Sequence, residues 1–380
     1  MTLSIGINAS RARSGGAIAH LVGILQEATP ETFGIKTVHA WSYEKLLAML
    51  PERPWLIKHA PSELGASLLK QMMWERFSLP KELEASGCSL LLNVSAGSVC
   101  RFNPAISMSR DMLSYEPGEI ERYGISKGRL RLIVLRYVQN ASLRAADGAI
   151  FLTRYAGKMI QQSCGKLANV AYIPHGVGAA FQMVTPKNAW PTENERPIRC
   201  LYISNALPYK HQWHVVEAIA RLRQQGFGLQ LELVGGGEGS AQIRLDRSIA
   251  KWDAAHEFVV QHEFVPQHTL PDFLAQADLF LFASSCENMP NTLVEAMAAG
   301  LPIACSNRGP MPEILEDGGV YFDPETPDSI AAAIKDLLVS PDKRTHLSRR
   351  AKELANQYSW KRCADETFEF IAKTMKGNVK

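Results

Sequence analysis

Two glutamates, Glu287 and Glu295, stand eight residues apart in the stretch S-S-C-E-N-M-P-N-T-L-V-E-A-M-A-A-G-L-P over residues 284–302. Residues 277–283, A-D-L-F-L-F-A, form a nearly all-apolar run ahead of them, the pattern of a strand buried on both faces. A loop-type segment, 288–291, then leads into an apolar helical run that carries Glu295. Strand, polar loop and helix N-terminus make up the place where open α/β sheets bind ligands. The first helical turn offers N–H groups and a positive dipole end, which suit phosphate. A carboxylate in the loop and another in the helix would then face sugar hydroxyls on either side of that phosphate. The spacing alone also suits an ordinary amphipathic helix, because glutamate favours helix N-termini for dipole reasons.

The flanking residues separate the two readings. The stretch resembles the E-x7-E signature of retaining glycosyltransferases of family 4, with Ala296, Met297, Gly300 and Pro302 matching its E-A-M-A-x-G-x-P tail. Residues 171–177, A-Y-I-P-H-G-V, resemble the turn that ends the first domain in that family, and Phe181 fits its usual aromatic. Y-S-W at 358–360 resembles the start of its final helix. The resemblance implies an α/β protein of the GT-B fold: two Rossmann-like doubly wound domains facing a cleft, with the C-terminal helix crossing back to the first. It implies an acceptor-side domain over 1–180, rejoined by 359–380, and a nucleotide-sugar-binding domain over 181–358. Glu287 would then approach the donor sugar and Glu295 the ribose, while Met289, Asn291 and Thr292 offer backbone N–H groups. Pro290 has no N–H to give.

Transfer from a nucleotide sugar leaves a diphosphate on which negative charge grows, so positive charge placed in advance matters most. Metal-using transferases often hold a cation with an Asp-x-Asp pair, and none occurs in this sequence. The charge is therefore expected from side chains and helix dipoles, with no cofactor and no metal. Lys210, in Y-I-S-N-A-L-P-Y-K-H-Q over 202–212, resembles the lysine of the family's G-R-L-x-x-x-K loop. Asn205 takes the place of its arginine, so Arg11, Arg13 or Arg308 is expected to substitute. Gly15 and Gly16 resemble a Gly-Gly turn that lets the backbone approach the donor closely. Arg110 and Asp111 fall where many members carry His-Asp. Arginine cannot act as a base at neutral pH, so Arg110 would position an acceptor hydroxyl or bind an anionic group, unless the two form a structural ion pair. His175 reads as a hinge or structural residue. G-G-G-E-G-S at 235–240 is a weak dinucleotide fingerprint, because serine ends it.

Elements able to position these residues follow along the chain. A strand over 3–7, a loop with Arg11, Arg13, Gly15 and Gly16, and a helix over 17–25 open a doubly wound domain. Strands are expected at 89–94, 105–109 and 148–152. Three prolines in 186–197 read as a linker. Beyond it, strands are expected at 198–204, 230–234, 258–260, 279–283 and 303–306. Helices are expected at 214–225, 270–276, 292–299, 327–340, 342–358 and 360–375.

At 380 residues the chain suggests two domains, and its 46% hydrophobic and 21% charged content is that of a soluble globular protein. A net charge of +3 gives no argument for nucleic acid. Lys127, Arg129, Arg131, Arg136 and Arg144 interleave with Leu130, Leu132, Ile133, Val134 and Leu135. This reads either as a helix on an anionic membrane surface or as a core helix with a solvated basic face. Seven scattered cysteines without C-x-x-C argue against a disulfide framework and a zinc site. No signal peptide or membrane span is evident, so the expected place is the cytoplasm, at the inner face of the membrane if the acceptor is lipid-linked.

The function expected is retaining, metal-independent transfer of a hexose, with mannose the first to test, from a GDP- or UDP-linked donor to a lipid-linked or polysaccharide acceptor in O-antigen or capsule synthesis. The alternatives are a non-catalytic nucleotide-sugar-binding partner subunit and a sugar-nucleotide epimerase on the same fold. Oligomeric state has no signal in the sequence.

Overall fold

The computed structural model describes residues 3–13, 15–185, 190–191 and 195–378. Most of the linker expected at 186–197 lies outside the described residues, as do Met1 and Thr2. The chain divides into two compact units, one of residues Met1–Gly176 with Tyr358–Lys380 and one of Val177–Gln357.

Among the described residues the first unit is built on seven strands: β1 (Leu3–Asn8), β2 (Ile35–Trp41), β3 (Leu56–His59), β4 (Leu90–Asn93), β5 (Ala105–Ser109), β6 (Gly148–Phe151) and β7 (Val170–Tyr172). They run parallel in the order β3-β2-β1-β4-β5-β6-β7. Every residue of β4, β5 and β6 is buried, as a parallel sheet with helices on both faces requires. The second unit has, among its described residues, six parallel strands: β8 (Ile198–Ile203), β9 (Leu229–Val234), β10 (Val259–His262), β11 (Leu279–Phe282), β12 (Ile303–Ser306) and β13 (Val320–Phe322). Their order is β10-β9-β8-β11-β12-β13. Each order reverses direction once, between β1 and β4 and between β8 and β11. Ligands of doubly wound sheets sit beyond the strand ends at such reversals.

The final helix, Trp360–Asn378, belongs to the first unit. The helix Gly15–Glu27 can meet it because Gly23 has no Cβ: one there would stand 2.4 Å from the Trp360 ring. Gly176 is under the same constraint, since its Cβ would come 2.2 Å from the Trp360 nitrogen. His20, His175 and Trp360 cluster around this contact with their rings tilted to one another, the two imidazole centroids 4.1 Å apart. His175 is thus a buried packing residue of the first unit.

Several elements differ from expectation. The first helix begins at Gly15, so Gly15 and Gly16 form its opening turn and not a loop before it. Strands β2, β3, β7 and β13 and the helix Gly239–Trp252 had no prior assignment. All seven cysteines are free thiols, six of them buried; burial pushes Cys88 up to about 12. Among the described residues no helix is long and apolar enough to cross a membrane.

Candidate active site

The loops that follow β8 and β11 leave the second sheet on either side of its reversal. Strand β11 is L-F-L-F, buried throughout, and ends in a buried Ala283-Ser284. The following helix, Asn291–Ala299, opens after Pro290, whose carbonyl accepts the N–H groups of Leu293 and Val294. It stops at Gly300, where φ is 73° and the left-handed backbone suits glycine. Leu301 and Pro302 then lead into β12. Every residue of the helix after its first turn is buried. Glu295, an ordinary second-turn glutamate by spacing, is therefore carried inside.

Glu295 is 6% exposed, and its carboxylate accepts one long hydrogen bond, from Gln267 Nε2 at 3.3 Å. Its other oxygen, Oε2, has no hydrogen-bond partner among the described residues. Burial pushes the carboxyl up to about 7, and the Gln267 bond opposes this only in part. A buried carboxylate with an unmatched oxygen is costly, and such groups concentrate where a ligand supplies the missing donors.

Lys210 and Glu287 form an ion pair across the sheet reversal, each side chain about one-seventh exposed. The ammonium also lies over the rings of Tyr209, at 5.3 Å, and Phe282, at 5.6 Å. Such aromatic faces favour a cation. Two staples fix the loops that bear the pair. Ser285 N–H donates to Tyr209 O at 2.8 Å, and His211 Nε2 meets Ser285 Oγ at 2.9 Å. His211 takes up a left-handed backbone, with φ 50°, to reach it. The Tyr202 hydroxyl donates to Lys210 O at 2.6 Å, which anchors the same loop to β8. Thr292 Oγ1 donates to Ile203 O at 3.4 Å, drawing the helix N-terminus to the end of β8.

The glycine run after β9 joins this edge. Gly235 has φ of 138°, and a Cβ on it would lie 2.6 Å from the Ser204 carbonyl carbon. Ala206 N–H donates to Gly236 O at 2.7 Å, and Ala206 bridges Gly237. These glycines allow two loops to touch, a reason for the run that needs no dinucleotide. Asn205 in the same loop is exposed.

Of the cations expected to replace an arginine at 205, two are committed inside the first unit. Arg11 pairs with buried Glu75 at 3.0 Å. Arg13 donates to Leu64 O at 2.6 Å and covers the Tyr43 ring at 4.1 Å. Arg308 belongs to the second unit, on the loop after β12. It is half exposed and paired with Asp323 at 3.3 Å. Its neighbour Gly309 lies beside the Glu287 backbone.

In the first unit, Arg110 and Asp111 follow β5 but do not pair with each other, so the ion-pair reading of them is corrected. Arg110 donates from NH1 to Ala17 O at 3.0 Å, on the opening turn of the helix that Gly15 and Gly16 begin. Burial lowers its guanidinium to about 10, which leaves it charged at neutral pH. Asp111 accepts from Leu113 N at 3.0 Å and from Gln139 at 3.4 Å, and burial raises its carboxyl.

Sequence reasoning passed over Gln267, which lies in a segment with no motif of its own, and gave no role to His211 and Ser285, which stand next to Lys210 and near Glu287 in the stretches that carry them. It also passed over the network at the reversal of the first sheet. There Asn8 Nδ2 donates to Glu75 at 2.7 Å and to Asn93 at 3.0 Å. Buried polar residues at the ends of β1 and β4 were the available signal.

Residues 186–354 match the family model "Glycosyl transferases group 1". O-antigen chain mannosyltransferase B of Escherichia coli is 35% identical over 102 residues, 27% of this chain and 27% of that protein. The chain thus spans about a quarter of that relative. The GDP-mannose-dependent alpha-(1-6)-phosphatidylinositol monomannoside mannosyltransferase of Mycobacterium tuberculosis is 26% identical over 267 residues, 66% of this chain and 68% of that protein. Among solved structures, sucrose-phosphate synthase from Thermosynechococcus elongatus superposes with a TM-score of 0.75 at 16% identity, covering 99% of this chain and all of that one. The fold is GT-B.

Proposed function

We propose, from the match of residues 186–354 to the group 1 glycosyl transferases, that this chain transfers a hexose from a nucleotide sugar to a glycan or lipid-linked glycan. The observation that carries this reading is the grouping at the β8–β11 reversal. It combines an ion-paired Lys210 and Glu287, a helix N-terminus, and a buried glutamate with an unmatched oxygen.

Each group suits one part of the donor. Glu295 Oε2 would accept from a ribose hydroxyl. The N–H groups of Met289, Asn291 and Thr292 would face the diphosphate. Lys210 would exchange part of its contact with Glu287 for a phosphate oxygen. Glu287, so relieved, would accept from hydroxyls of the sugar. As the bond from the anomeric carbon to the diphosphate oxygen breaks, charge grows beside Lys210, where it is worth most. The acceptor oxygen would attack the same face and pass its proton to the leaving phosphate, which retains the donor's configuration. Metal independence rests on the missing Asp-x-Asp pair. Arg110 would bind an anionic or hydroxyl group of the acceptor in the first unit. Two mannosyltransferase relatives, one of them named for GDP-mannose, support mannose as the sugar. One carries an O-antigen name, which supports surface-polysaccharide assembly.

The test is incubation of the full chain with labelled GDP-mannose and UDP-glucose, a bacterial lipid extract as acceptor, and NMR of the product. Label in the lipid fraction with the donor's α configuration is expected. A β-linked product would overturn retention, and an epimerised donor with no transfer would favour the epimerase reading.

A further inference from the structure

The helix Lys127–Ala145 buries polar side chains beside Leu132 and Leu143 and leaves other large apolar ones outside. Its buried side includes Gln139 and Asn140, held by hydrogen bonds to Asp111, Tyr115 and Ser163. Its outward side joins large apolar residues to cations: Leu130 is 63% exposed and Tyr137 73%, with Ile133 and Val134 between them, and Lys127, Arg131 and Arg144 are exposed as well. A surface helix normally turns such apolar residues inward.

A second apolar stripe lies beside it. Leu69, Met73 and Phe77 recur every fourth residue along the helical segments Leu68–Met73 and Trp74–Ser78, and all three are more than half exposed. A cavity of about 530 Å³ joins the two stripes, with Met73 and Phe77 on one wall and Tyr137 and Ala141 on the other. Arg76 and Arg101 also line it. Contiguous exposed apolar surface of this kind marks a docking site.

Charge identifies the occupant. Residues 66–78, 97–101 and 125–145 contain eight lysines and arginines and one acid, Glu75. Glu75 is buried and already paired with Arg11. A second copy of the chain docked face to face would set these cations against themselves. An anionic bilayer instead meets the apolar side chains with its acyl boundary and the cations with its phosphates.

We infer that this face of the first unit docks on an anionic lipid bilayer, with Leu69, Phe77, Val134 and Tyr137 inserted among the acyl chains and Lys70, Arg76, Arg101 and Lys127 on the headgroup phosphates. The inference goes beyond the transfer reading and does not depend on it.

The test is co-sedimentation of the full chain with phosphatidylglycerol–phosphatidylcholine vesicles, beside vesicles of phosphatidylcholine alone. Binding is expected only to the anionic vesicles and should weaken as salt is added. Lys70→Ala with Lys127→Ala should weaken partition by about thirtyfold. Leu69→Ser with Phe77→Ser should weaken it by roughly tenfold or more. Both pairs are surface changes, and unaltered thermal unfolding checks that the fold persists. Equal binding to both vesicle types, or no binding to either, would overturn the inference. So would a dimer in sedimentation equilibrium that the Leu69→Ser/Phe77→Ser variant dissolves.

Discussion

Replacing Glu295 by glutamine should stabilise the second unit at alkaline pH while weakening donor binding. Burial holds the Glu295 carboxyl at about 7 against an ordinary 4.5. A carboxyl raised in this way favours the fold while it is protonated. That contribution is full below about 4.5 and is lost as pH rises through about 7. A shift from 4.5 to about 7 corresponds to about 3 kcal/mol, of which roughly 2.5 is lost between pH 5 and pH 8. Glutamine has nearly the shape of the protonated acid and cannot ionise. The wild type and Glu295→Gln should therefore be about equally stable at pH 5, and the variant should lead by roughly 2.5 kcal/mol at pH 8. For a unit of this size that is a rise of about 5–10 °C in Tm. Scanning calorimetry at the two pH values reads it directly. With Glu295 as the proposed acceptor for the ribose, the same variant should also bind donor roughly tenfold more weakly. An advantage independent of pH, or none at pH 8, would refute the argument that burial leaves this carboxylate uncompensated.

Lys210→Ala should lower kcat by at least about 100-fold if, as proposed, its charge acts on the leaving diphosphate; steady-state kinetics with the best donor decide it, and a near-normal kcat removes Lys210 from the chemistry. Transfer should continue in EDTA, and complete loss restored by added magnesium would replace the side-chain account with a metal-based one. Gly235→Ala should cost the second unit at least about 2 kcal/mol, because the new Cβ meets the Ser204 carbonyl at a φ of 138°. Urea unfolding measures that cost, and an unchanged midpoint would mean that the two loops do not need their close approach.

Much of the fold could be read ahead of the structure because parallel strands buried on both faces are plain apolar runs. β5 and β12 and the helix Leu270–Gln276 fall at their expected limits. The missed strands lack that signature. β2 and β3 carry Lys36, His39, Lys58 and His59, and their histidines stack on Trp41. β7 and β13 have three residues each. The helix Gly239–Trp252 buries only Ala241, Leu245 and Ile249 behind a charged surface. In the candidate site, spacing pointed to Glu287, Glu295 and Lys210 separately. It could not show that Lys210 and Glu287, 77 residues apart, hold each other, because that contact depends on β8 lying beside β11. Nor could it show that Glu295 is buried, which follows from helix Asn291–Ala299 packing on nearly every side.

The most direct test of the central claim is calorimetric binding and slow hydrolysis across UDP-, GDP-, ADP- and dTDP-linked sugars, with Glu287→Ala beside the wild type. The grouping at the β8–β11 reversal predicts one preferred donor, bound and slowly hydrolysed by the wild type, with hydrolysis lost in Glu287→Ala. Binding of no nucleotide sugar, or hydrolysis undiminished in Glu287→Ala, would contradict it.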